Sequence, residues 1–556
     1  MEQNPEFEGE RGISLRSILI ACLISMLVGV SSAYVAIFLS ALPWPVILSV
    51  VVSYVSLIAL DVVSNRRHSI HEANVAQAGG SVGGLIAAGV AFTIPAYIVI
   101  SQNYNYNLPL PPMSTIIAIS IVGALLGVAL SLPVRRITID REDLPFPEGR
   151  AGAEVLIAIE KGGHEAKILF IFGLLAAAFT IARWMLKINI LSWEIHVLSV
   201  VIIIQVLPLL MAAGAGYIMG PVPSFSWFAG AIAGWVILMP IFQVIGYGDF
   251  MTPVRNFGMG IVLGAGIGFL CFKAFPRSGE VYKAFFTLKS VPLILRLPLI
   301  LSIVSYFLLV IIGINPLGAL LGVIGAWIMS TIAGKTTGET NIDPLEQFGL
   351  LVGIFTMQFL GFLGVTMDLN QAILLTAFVS IASALAGDIG HDFKSAKIIG
   401  TRPADIAYGD MIASIVGGIA ASLALIVILK AHPEVLSLQY PTAAQSKLVA
   451  SVLVGKVSPE FFIGGILAGF LLEGLMSTFE KQGRKIPLSV IAFGVGIFLG
   501  FSLAILAAIG GTIRLLLAQR GNKTEKEGII AASGILGGEG IVGFILALLT
   551  VLGVHL

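Results

Sequence analysis

The sequence predicts an all-α polytopic membrane protein, and three observations support this fold class. First, 57% of the 556 residues are hydrophobic and only 11% are charged, whereas soluble domains carry roughly 25% charged residues. Second, apolar stretches of about 20 residues, long enough to cross a bilayer as a helix, recur along the chain. Third, several motifs occur once in each half. We therefore expect about sixteen transmembrane helices in two related eight-helix halves with broken or re-entrant segments.

The expected spans are apolar runs separated by polar or charged connections. In the first half they lie near 17–40, 44–61, 81–100, 114–133, 167–183, 195–218, 224–245 and 254–274. In the second half they lie near 297–314, 316–333, 347–366, 370–386, 408–430, 459–478, 486–518 and 528–553. The stretch 486–518 is too long for one ordinary span, so we expect it to be broken.

Positive charges set the expected orientation, because Lys and Arg are enriched on the cytoplasmic side of a membrane. They are concentrated in connections after even-numbered spans: Arg66, Arg67, Arg135, Arg136, Arg141, Lys273, Arg277, Lys283, Lys289, Lys394, Lys397 and Arg402. Connections 42–45 and 101–113 carry none, although Arg183 and Lys187 depart from the pattern. We therefore expect a multi-pass protein of the plasma membrane with a cytoplasmic N-terminus.

An internal repeat is the reason for expecting two halves, residues 1–277 and 278–556. The motif Glu72-Ala-Asn74 recurs as Glu339-Thr-Asn341, in both cases after two apolar spans. Glycines recur at one constant offset: Gly216, Gly220, Gly230 and Gly258 in the first half, and Gly496, Gly500, Gly510 and Gly538 in the second. Both halves start on the cytoplasmic side by charge, so we expect a parallel repeat. An inverted repeat nested within each half stays open.

Polar side chains at membrane depth are candidates for solute binding, because burying them is costly unless they have a partner, water or a function. The stretch 71–96 begins with such residues. It continues into a glycine-rich segment ending near Pro95, where a helix can unwind or approach a neighbour closely. Because its motif recurs in the second half, we expect six residues to bind the solute: Glu72, Asn74, Gln77, Ser81, Glu339 and Asn341.

Three further residues are expected to take part in proton coupling: Asp388, His391 and Glu539. Glu539 is singled out because its repeat equivalent is Met259, whereas a purely structural role should be filled alike in both halves. The alternative for Glu539 is a helix cap. For Asp343, Glu346 and Glu473 we favour an interfacial position just outside the hydrocarbon.

The sequence also excludes several classes of protein. A net charge of +1 without a dense basic cluster gives no indication of nucleic-acid binding. His71-Glu72 lacks the second histidine of a zinc-protease helix, because position 75 is Val75, and no Gly-x-x-x-x-Gly-Lys-Ser/Thr motif for ATP is present. No acid–base–nucleophile set is clustered, so we do not expect an enzyme. Cys22 and Cys271 indicate neither a disulfide nor a zinc site, and we expect no metal and no cofactor.

Taken in order, five segments resemble the oligopeptide transporter family, which includes the yellow-stripe-like metal-chelate carriers. They are Glu72–Pro95, Leu144–Glu154, Gly387–Pro403, Pro487–Gly500 and Gly537–Gly540, and they extend over nearly the whole chain. The resemblance implies a duplicated helical unit and a secondary transporter, generally proton-coupled, for small peptides or metal complexes of amino-acid-like chelators. Glu148 stands where the family more often has a small hydroxyl or polar residue, so the substrate stays open.

We therefore expect a secondary active transporter, driven by protons or by the membrane potential, that imports small peptides or peptide-like and metal-chelate solutes. Acidic residues suit the ammonium group of such a solute, and amide side chains suit its peptide groups. The expected partners are the solute, protons and the lipid bilayer, and a homodimer is one assembly open to such a chain. The alternative function is a channel or facilitator for small solutes. Concentrative uptake that collapses with the proton gradient would separate the two.

Overall fold

The computed structural model shows a nearly all-helical membrane protein. It describes residues 8–40, 45–162, 164–188, 191–197, 200–245, 251–269, 271–272, 293–340, 343, 345–438, 440, 442–455, 459–484 and 486–552. Within these ranges, twelve helices are long and apolar enough to cross a membrane, and five further apolar helices are shorter. The predicted count of sixteen spans is therefore not confirmed, although the multi-pass helical fold class is.

The elements follow one another in chain order. They are α1 (Leu15–Leu39), α2 (Pro45–Ser64), α3 (Ile70–Thr93), α4 (Ala96–Tyr104), α5 (Met113–Arg135), α6 (Pro147–Gly162), α7 (His164–Met185), β1 (Leu191–Val197), β2 (Val200–Val206), α8 (Leu210–Met219), α9 (Pro221–Ile232), α10 (Met239–Ile245), α11 (Met251–Phe269), α12 (Leu293–Ile311), α13 (Pro316–Thr340), α14 (Leu345–Phe362), α15 (Leu369–Ile399), α16 (Pro403–Ala431), α17 (Ala444–Val454), α18 (Pro459–Lys481), α19 (Val490–Leu499), α20 (Phe501–Ala518) and α21 (Asn522–Val551). Two π-helical segments, Arg136–Arg141 and Ala233–Leu238, follow α5 and α9, and a 3₁₀ helix covers Pro433–Leu436.

A β-hairpin replaces much of one predicted span. The sequence predicted a helix over 195–218, but β1 and β2 pair antiparallel there, with Leu191 opposite Val206 and Val197 opposite Val200. The β2 sequence, Val-Val-Ile-Ile-Ile-Gln-Val, is rich in β-branched residues, which favour strands. Apolarity alone does not separate a helix from a strand of such residues, so the prediction was wrong here.

Two helices, α3 and α15, form the centre of the molecule. The apolar part of α15 is buried along its full length, and that of α3 and α4 almost completely. α3 packs against α1, α2 and α16, α15 packs against α5, α13 and α14, and the two also pack against each other. Glycines allow these close approaches: a Cβ placed on Gly83 would lie 1.9 Å from the Ser25 carbonyl oxygen. The outer faces of peripheral helices such as α7 expose leucines and isoleucines, as expected toward lipid.

The helices α1–α3 and α13–α15 form two triplets that run in opposite directions. Within each triplet the helices pack on one another. α1 starts near the surface where Glu10 N donates to Gly400 O at 2.8 Å, whereas α13 ends near that surface, where Gly338 O accepts from Phe146 N at 3.0 Å. These triplets are not the ones that the predicted repeat pairs, which are α1–α3 and α12–α14, so the parallel repeat expected from charge stays a prediction. The expected boundary between the halves falls outside the described residues.

A broken helix occurs in each half of the chain. α8 and α9 meet at Gly220, with φ of +87°, and α19 and α20 meet at Gly500, with φ of +68°. Glycine adopts this left-handed conformation without strain. The break predicted within 486–518 is thereby confirmed.

The two broken helices pack crosswise, α8 on α20 and α19 on α9. A Cβ on Gly216 would lie 2.0 Å from Ala507 O, and one on Gly510 would lie 1.9 Å from Ala213 O. Four of the eight recurring glycines, Gly216, Gly230, Gly496 and Gly510, are therefore positions at which the backbones of the two broken helices touch.

The N-terminal segment is fixed to the connection between α15 and α16. Glu10 forms a parallel bridge with Thr401, and the Asp405 carboxylate accepts the N–H groups of Gly12 at 2.8 Å and Ile13 at 3.1 Å. Arg16 forms an ion pair with Asp61 near the end of α2. The N-terminus and the connections after α2 and α15 therefore lie at one surface, in agreement with the charge pattern. That this surface is cytoplasmic stays a prediction.

Candidate functional site

A buried polar cluster lies where α3, α15 and α16 meet. We define the polar cluster by its residues: Asn74, Gln77, Ser81, Asp388, His391, Asp392, Ser395 and Asp410. They come from the first turns of α3, the last turns of α15 and the early turns of α16. All are buried inside helices that are otherwise largely apolar. Polar groups kept at such a position need partners, water or a function.

The start of α3 is fixed by a capping box. Ser69 Oγ accepts from Glu72 N at 3.1 Å, and Glu72 Oε2 accepts from Ser69 N at 3.2 Å. These bonds satisfy two of the N–H groups left open at a helix start. Arg66 also pairs with Glu72 at 3.4 Å. The structure thus places the Glu72 carboxylate in a helix cap, and its contact with a solute stays a prediction.

The glycines of α3 serve close packing, because the helix continues through them without unwinding. A Cβ on Gly79 would lie 2.8 Å from Ala21 Cβ, and one on Gly80 would lie 2.8 Å from Ile24 Cγ2. α3 ends only before Pro95, after which α4 continues. Of the two roles considered for this glycine-rich segment, close approach is the one observed.

Three predicted solute-binding residues converge on the end of α15. Gln77 Nε2 donates to Asp392 Oδ1 at 3.2 Å, and Ser81 Oγ donates to Asp392 Oδ2 at 3.4 Å. Ser395 Oγ donates to Asn74 Oδ1 at 2.8 Å. Asn74, Gln77 and Ser81 thus share one face of α3, and they meet around an acid that was not among the six predicted residues.

Asp388 and His391 lie one turn apart on α15 within the same cluster. His391 Nε2 is 3.9 Å from Asp388 Oδ1. On its other side, His391 Nδ1 accepts a hydrogen bond from Gly149 N at 3.1 Å. The ring of Phe146 packs edge-on against the imidazole, with 5.5 Å between the ring centroids. Two of the three predicted proton-coupling residues are therefore brought together with the predicted solute-binding residues.

Several buried oxygens at the cluster have no hydrogen-bond partner in the part of the chain that the structure describes. They are Gln77 Oε1, Asp388 Oδ2, and both carboxylate oxygens of Asp343 and Asp410. Asp343 adjoins the cluster, since its Oδ2 would lie 3.2 Å from a Cβ on Gly387. Buried polar atoms in proteins are almost always satisfied. These oxygens are therefore positioned to meet a proton, water or a solute.

The acids of the cluster influence one another. The charge of each acid acts on at least one neighbouring acid, and Glu148 at the start of α6 takes part. The interacting acids are Asp343, Asp388, Asp392, Asp410 and Glu148. Burial, followed by the charges of Asp388 and Glu346, raises the pKa of Asp343 well above its usual range. Like charges held together in a low-dielectric site disfavour full ionisation. We therefore expect some of these groups to hold protons unless a cation is bound.

The nearby lysines are paired with other acids. Lys394 Nζ lies 3.0 Å from Asp143 Oδ1, and Lys335 Nζ lies 3.0 Å from Glu142 Oε1. Both partners lie in the connection after α5, at the surface end of the cluster. Across the described ranges, no three histidine, cysteine or acidic side chains are arranged to hold a metal ion. The cluster thus presents buried negative charge that is suited to an organic cation or a proton.

The second-half motif cannot be placed in the same detail. Asn341 and the side chain of Glu339 lie outside the described residues. Glu339 stands in the last turn of α13, whereas Glu72 stands in the first turn of α3. The prediction that the two motifs face one cavity therefore stays a prediction.

Glu539 lies away from the polar cluster, on α21. This helix packs mainly against α7, α8 and α1. Glu539 is fully buried, and its Oε2 accepts from Met211 N at 2.7 Å, at the start of α8. Its Oε1 has no hydrogen-bond partner among the described residues. Arg183 lies near enough for its charge to act on the carboxylate. The structure therefore shows a capping contact and leaves one carboxylate oxygen open.

Sequence reasoning missed Asp410 and left Asp392 out of the predicted site. Asp410 carried a readable signal, because it precedes the apolar run of α16 and lies at membrane depth. Asp392 was readable as an acid near His391, but its contacts with Gln77 and Ser81 join residues more than 300 positions apart. The sequence contained no signal for that contact.

Comparison with known proteins gives two similarities that cover the described cluster. The family model for the OPT oligopeptide transporter protein matches residues 13–256 and 271–550. A protein of Haemophilus influenzae described as "Putative oligopeptide transporter" is 23% identical over 568 aligned residues, which cover 86% of this chain and 87% of that protein. Both similarities extend through both halves of the chain.

Proposed function

This chain belongs to the OPT oligopeptide transporter family, and from that premise we propose a secondary active transporter that imports small peptides or peptide-like and metal-chelate solutes together with protons. It would act in the plasma membrane, with its N-terminus in the cytoplasm. The observation that carries the proposal is the set of buried carboxylates whose oxygens lack partners between α3, α15 and α16.

A solute with a free ammonium group fits this chemistry. Asp388 and Asp410 offer carboxylate oxygens without hydrogen-bond partners in the described structure, and a charge-assisted hydrogen bond to each is stronger than a neutral one. Gln77 offers an amide oxygen in the same place, which suits a peptide N–H. The amino end of a peptide or of an amino-acid-like chelator has both kinds of donor.

Proton coupling follows from the same excess of buried charge. An ionised carboxylate is costly to bury without a counter-ion, so each acid of the cluster favours either a bound proton or the solute cation as its partner. Asp388 and His391 lie 3.9 Å apart and are suited to hold the exchanged proton. The cluster holds three aspartates, more than one ammonium group can neutralise, so protons and solute would bind together and the proton gradient would drive both inward.

Uptake into proteoliposomes tests the proposal. Dipeptides, tripeptides and chelated iron are offered outside vesicles with an alkaline interior, and accumulation above the outside concentration is the expected result. Asp388→Asn should abolish accumulation, whereas Glu194→Gln, a matched change on the exposed strand β1, should not. Equilibration without accumulation, unaffected by dissipating the gradient, would instead establish a channel or facilitator. Failure of all three solute classes would remove the proposed substrate.

A further inference from the structure

The segment Leu144–Gly149 closes the surface end of the polar cluster. Its central side chain, Phe146, is fully buried. A Cβ on Gly390 would lie 2.1 Å from the Phe146 ring, and one on Gly338 would lie 2.8 Å from it. The ring thus occupies a slot between α13 and α15 that exists because both neighbours are glycines. The imidazole of His391 packs edge-on against the same ring.

This segment is held by hydrogen bonds from several elements. Phe146 N donates to Gly338 O at 3.0 Å, and Lys394 Nζ donates to Leu144 O at 2.8 Å. Gly149 N donates to His391 Nδ1 at 3.1 Å. Each bond joins the segment to an end of α13 or α15, so releasing it would open the cluster toward the surface.

The backbone of this segment is strained. Phe146 has φ of +39°, and Asp143, just before the segment, has φ of +49°. Non-glycine residues adopt this left-handed region only when surrounding contacts enforce it. The closed position therefore depends on the contacts around it, and losing one of them favours release.

The contact with His391 is sensitive to protonation. Because Nδ1 accepts a hydrogen bond from Gly149 N–H, it carries no proton in the closed position. The ring proton then lies on Nε2, on the side of Asp388. A second proton on Nδ1 would place two donors face to face and break the bond to Gly149. The closed segment and a doubly protonated His391 therefore exclude each other.

We propose that Leu144–Gly149 is a plug over the polar cluster and that protonation of His391 releases it. The inference rests on the proposed function in assigning this cluster to the transported solute. It adds a role for the segment, which couples a proton to access from the surface. The slot shaped by Gly338 and Gly390 is the closed seat of the plug.

Other titratable groups surround His391 and need to be separated from it. Those on its own helix are Asp388, Asp392 and Lys394, while Glu148 comes from α6, Asp343 from the connection after α13 and Asp410 from α16. α3 presents neutral side chains to this region. Ionised carboxylates favour a positively charged imidazole, whereas burial opposes it, so release is expected only toward the low end of the pH range.

Asp143, which joins the segment to the lysines of α15, loses its charge only at a pH well below the ordinary titration range of histidine. Hydrogen bonds from Lys397 and then Lys394 lower the pKa of Asp143 to about 2. Its folded-state pKa lies below its ordinary value, so its stabilising contribution is complete above that ordinary value and is lost only as the pH falls through about 2. A pH dependence between about 4 and about 8 therefore arises elsewhere.

Hydrogen–deuterium exchange of the purified full-length protein in lipid nanodiscs tests the plug without measuring transport. Exchange of the peptide covering 142–150 is measured at about pH 8 and about pH 4, a range that includes the ordinary titration of histidine. The measured rates are corrected for the pH dependence of intrinsic amide exchange. Its exchange should accelerate about tenfold or more at the lower pH, because local opening exposes protected amides. Peptides from α1 should not change and serve as the folding reference.

Two variants assign the effect to the imidazole. His391→Asn keeps an acceptor near the position of Nδ1 but does not titrate, so the segment should stay protected at both pH values. His391→Phe removes the acceptor, so the same peptide should exchange fast at both pH values. Acceleration in His391→Asn equal to that of the unmodified protein would overturn the proposal and assign the effect to the surrounding carboxylates. If the exchange results hold while no solute accumulates in proteoliposomes, the proposed function fails and the plug stands.

Discussion

Two aspartates on α16 show how differently single acids can be used within one helix. Asp405, in the first turn, accepts the N–H groups of Gly12 and Ile13 and anchors the N-terminal segment. Asp410, just over one turn further along, is fully buried, and neither of its oxygens has a hydrogen-bond partner in the described part of the chain. The first acid is explained by structure alone. Asp410 adds buried charge that no contact within the described ranges offsets, and we attribute it to the proposed binding of a solute or a proton.

Exchanging each of these aspartates for asparagine should therefore have opposite effects on stability. Asp410→Asn removes a buried charge and should raise the thermal midpoint by about 1–3 °C, while lowering solute uptake about tenfold or more, because a hydrogen bond to a charged group contributes about 1.5–3 kcal/mol. Asp405→Asn should lower stability by about 0.5–1.5 kcal/mol and leave uptake per folded molecule unchanged. Thermal unfolding and uptake of both variants provide the measurement. Asp410→Asn with full uptake would remove this residue from the site.

The asymmetry between Glu539 and Met259 has a structural reason that the sequence did not reveal. The residue before α8, Leu209, provides no side-chain cap, and Glu539 accepts the Met211 N–H in its place. The helix at the corresponding place in the second half, α19, is capped by its own Ser489 at 3.4 Å from Ala492 N. An acid is therefore needed for capping in one half and not in the other.

Glu539→Gln separates capping from proton coupling. Glutamine keeps a carbonyl oxygen that can accept from Met211 N, so the cap and the stability should be preserved. Because glutamine holds no exchangeable charge, gradient-driven accumulation should be abolished, while exchange of solute between equally loaded sides persists. Uptake and counterflow in proteoliposomes measure the two. Normal accumulation would show that Glu539 is a cap only, and coupling would then be assigned to Asp388 and His391.

At the scale of the element, α3 combines a polar start with a glycine face that brings backbones into contact. A Cβ on Gly83 would lie 1.9 Å from Ser25 O on α1, and one on Gly417 of α16 would lie 2.9 Å from Gly83 Cα. Neither neighbour is a flexible side-chain end, so the helices would have to move apart. The polar cluster directly precedes this contact on α3, with Ser81 only two residues before Gly83, so its geometry depends on the same packing.

Gly83→Ala should therefore destabilise the protein by about 1–3 kcal/mol, the usual range for overpacking a tight interior. The matched control is Gly464→Ala on α18, where nothing lies within 4 Å of the added methyl group. That change should be neutral or stabilising by up to about 1 kcal/mol, because alanine is the better helix former. Thermal unfolding in detergent compares the two. Equal midpoints would contradict the packing that we describe for α1, α3 and α16.

The sequence predicts elements well where one physical property dominates. Long apolar runs were sufficient for the spans, and the excessive length of 486–518 was sufficient for its break. Prediction from the sequence fails where two physical properties compete. The β-branched residues of β2 are as apolar as those of a membrane-spanning helix, so apolarity alone does not identify the strand. The glycines of α3 are compatible either with an unwound segment or with close helix packing. Which one occurs depends on neighbours such as Ser25 that come from other elements.

At the scale of the whole molecule, contacts between distant parts of the chain decide the site. Asn74, Gln77 and Ser81 were predictable as polar residues at membrane depth. That they meet Asp392 depends on α3 packing against α15, and no local pattern contains this information. The same packing places the N-terminus, the end of α2 and the end of α15 at one surface.

Cysteine labelling tests which side of the membrane this surface faces. In a background without Cys22 and Cys271, Asn105→Cys lies in the exposed connection after α4, and Arg67→Cys lies in the exposed connection after α2. The positive charges near Arg67 predict a cytoplasmic position. An impermeant thiol reagent applied to intact cells should therefore label only Asn105→Cys. Labelling of Arg67→Cys alone would reverse the orientation.

The crosswise packing of the two broken helices has a consequence for synthesis. The ribosome completes α8 and α9 roughly 260 residues before it begins α19, which at about 5–20 residues per second is a delay on the order of 10 to 50 seconds. During that interval the glycine faces around Gly216 and Gly230 lack the contacts that α19 and α20 provide, and the helix is interrupted at Gly220. The nascent first half thus depends on the insertion machinery to shelter it. A chain truncated before α19 should be degraded rather than accumulate as a folded fragment.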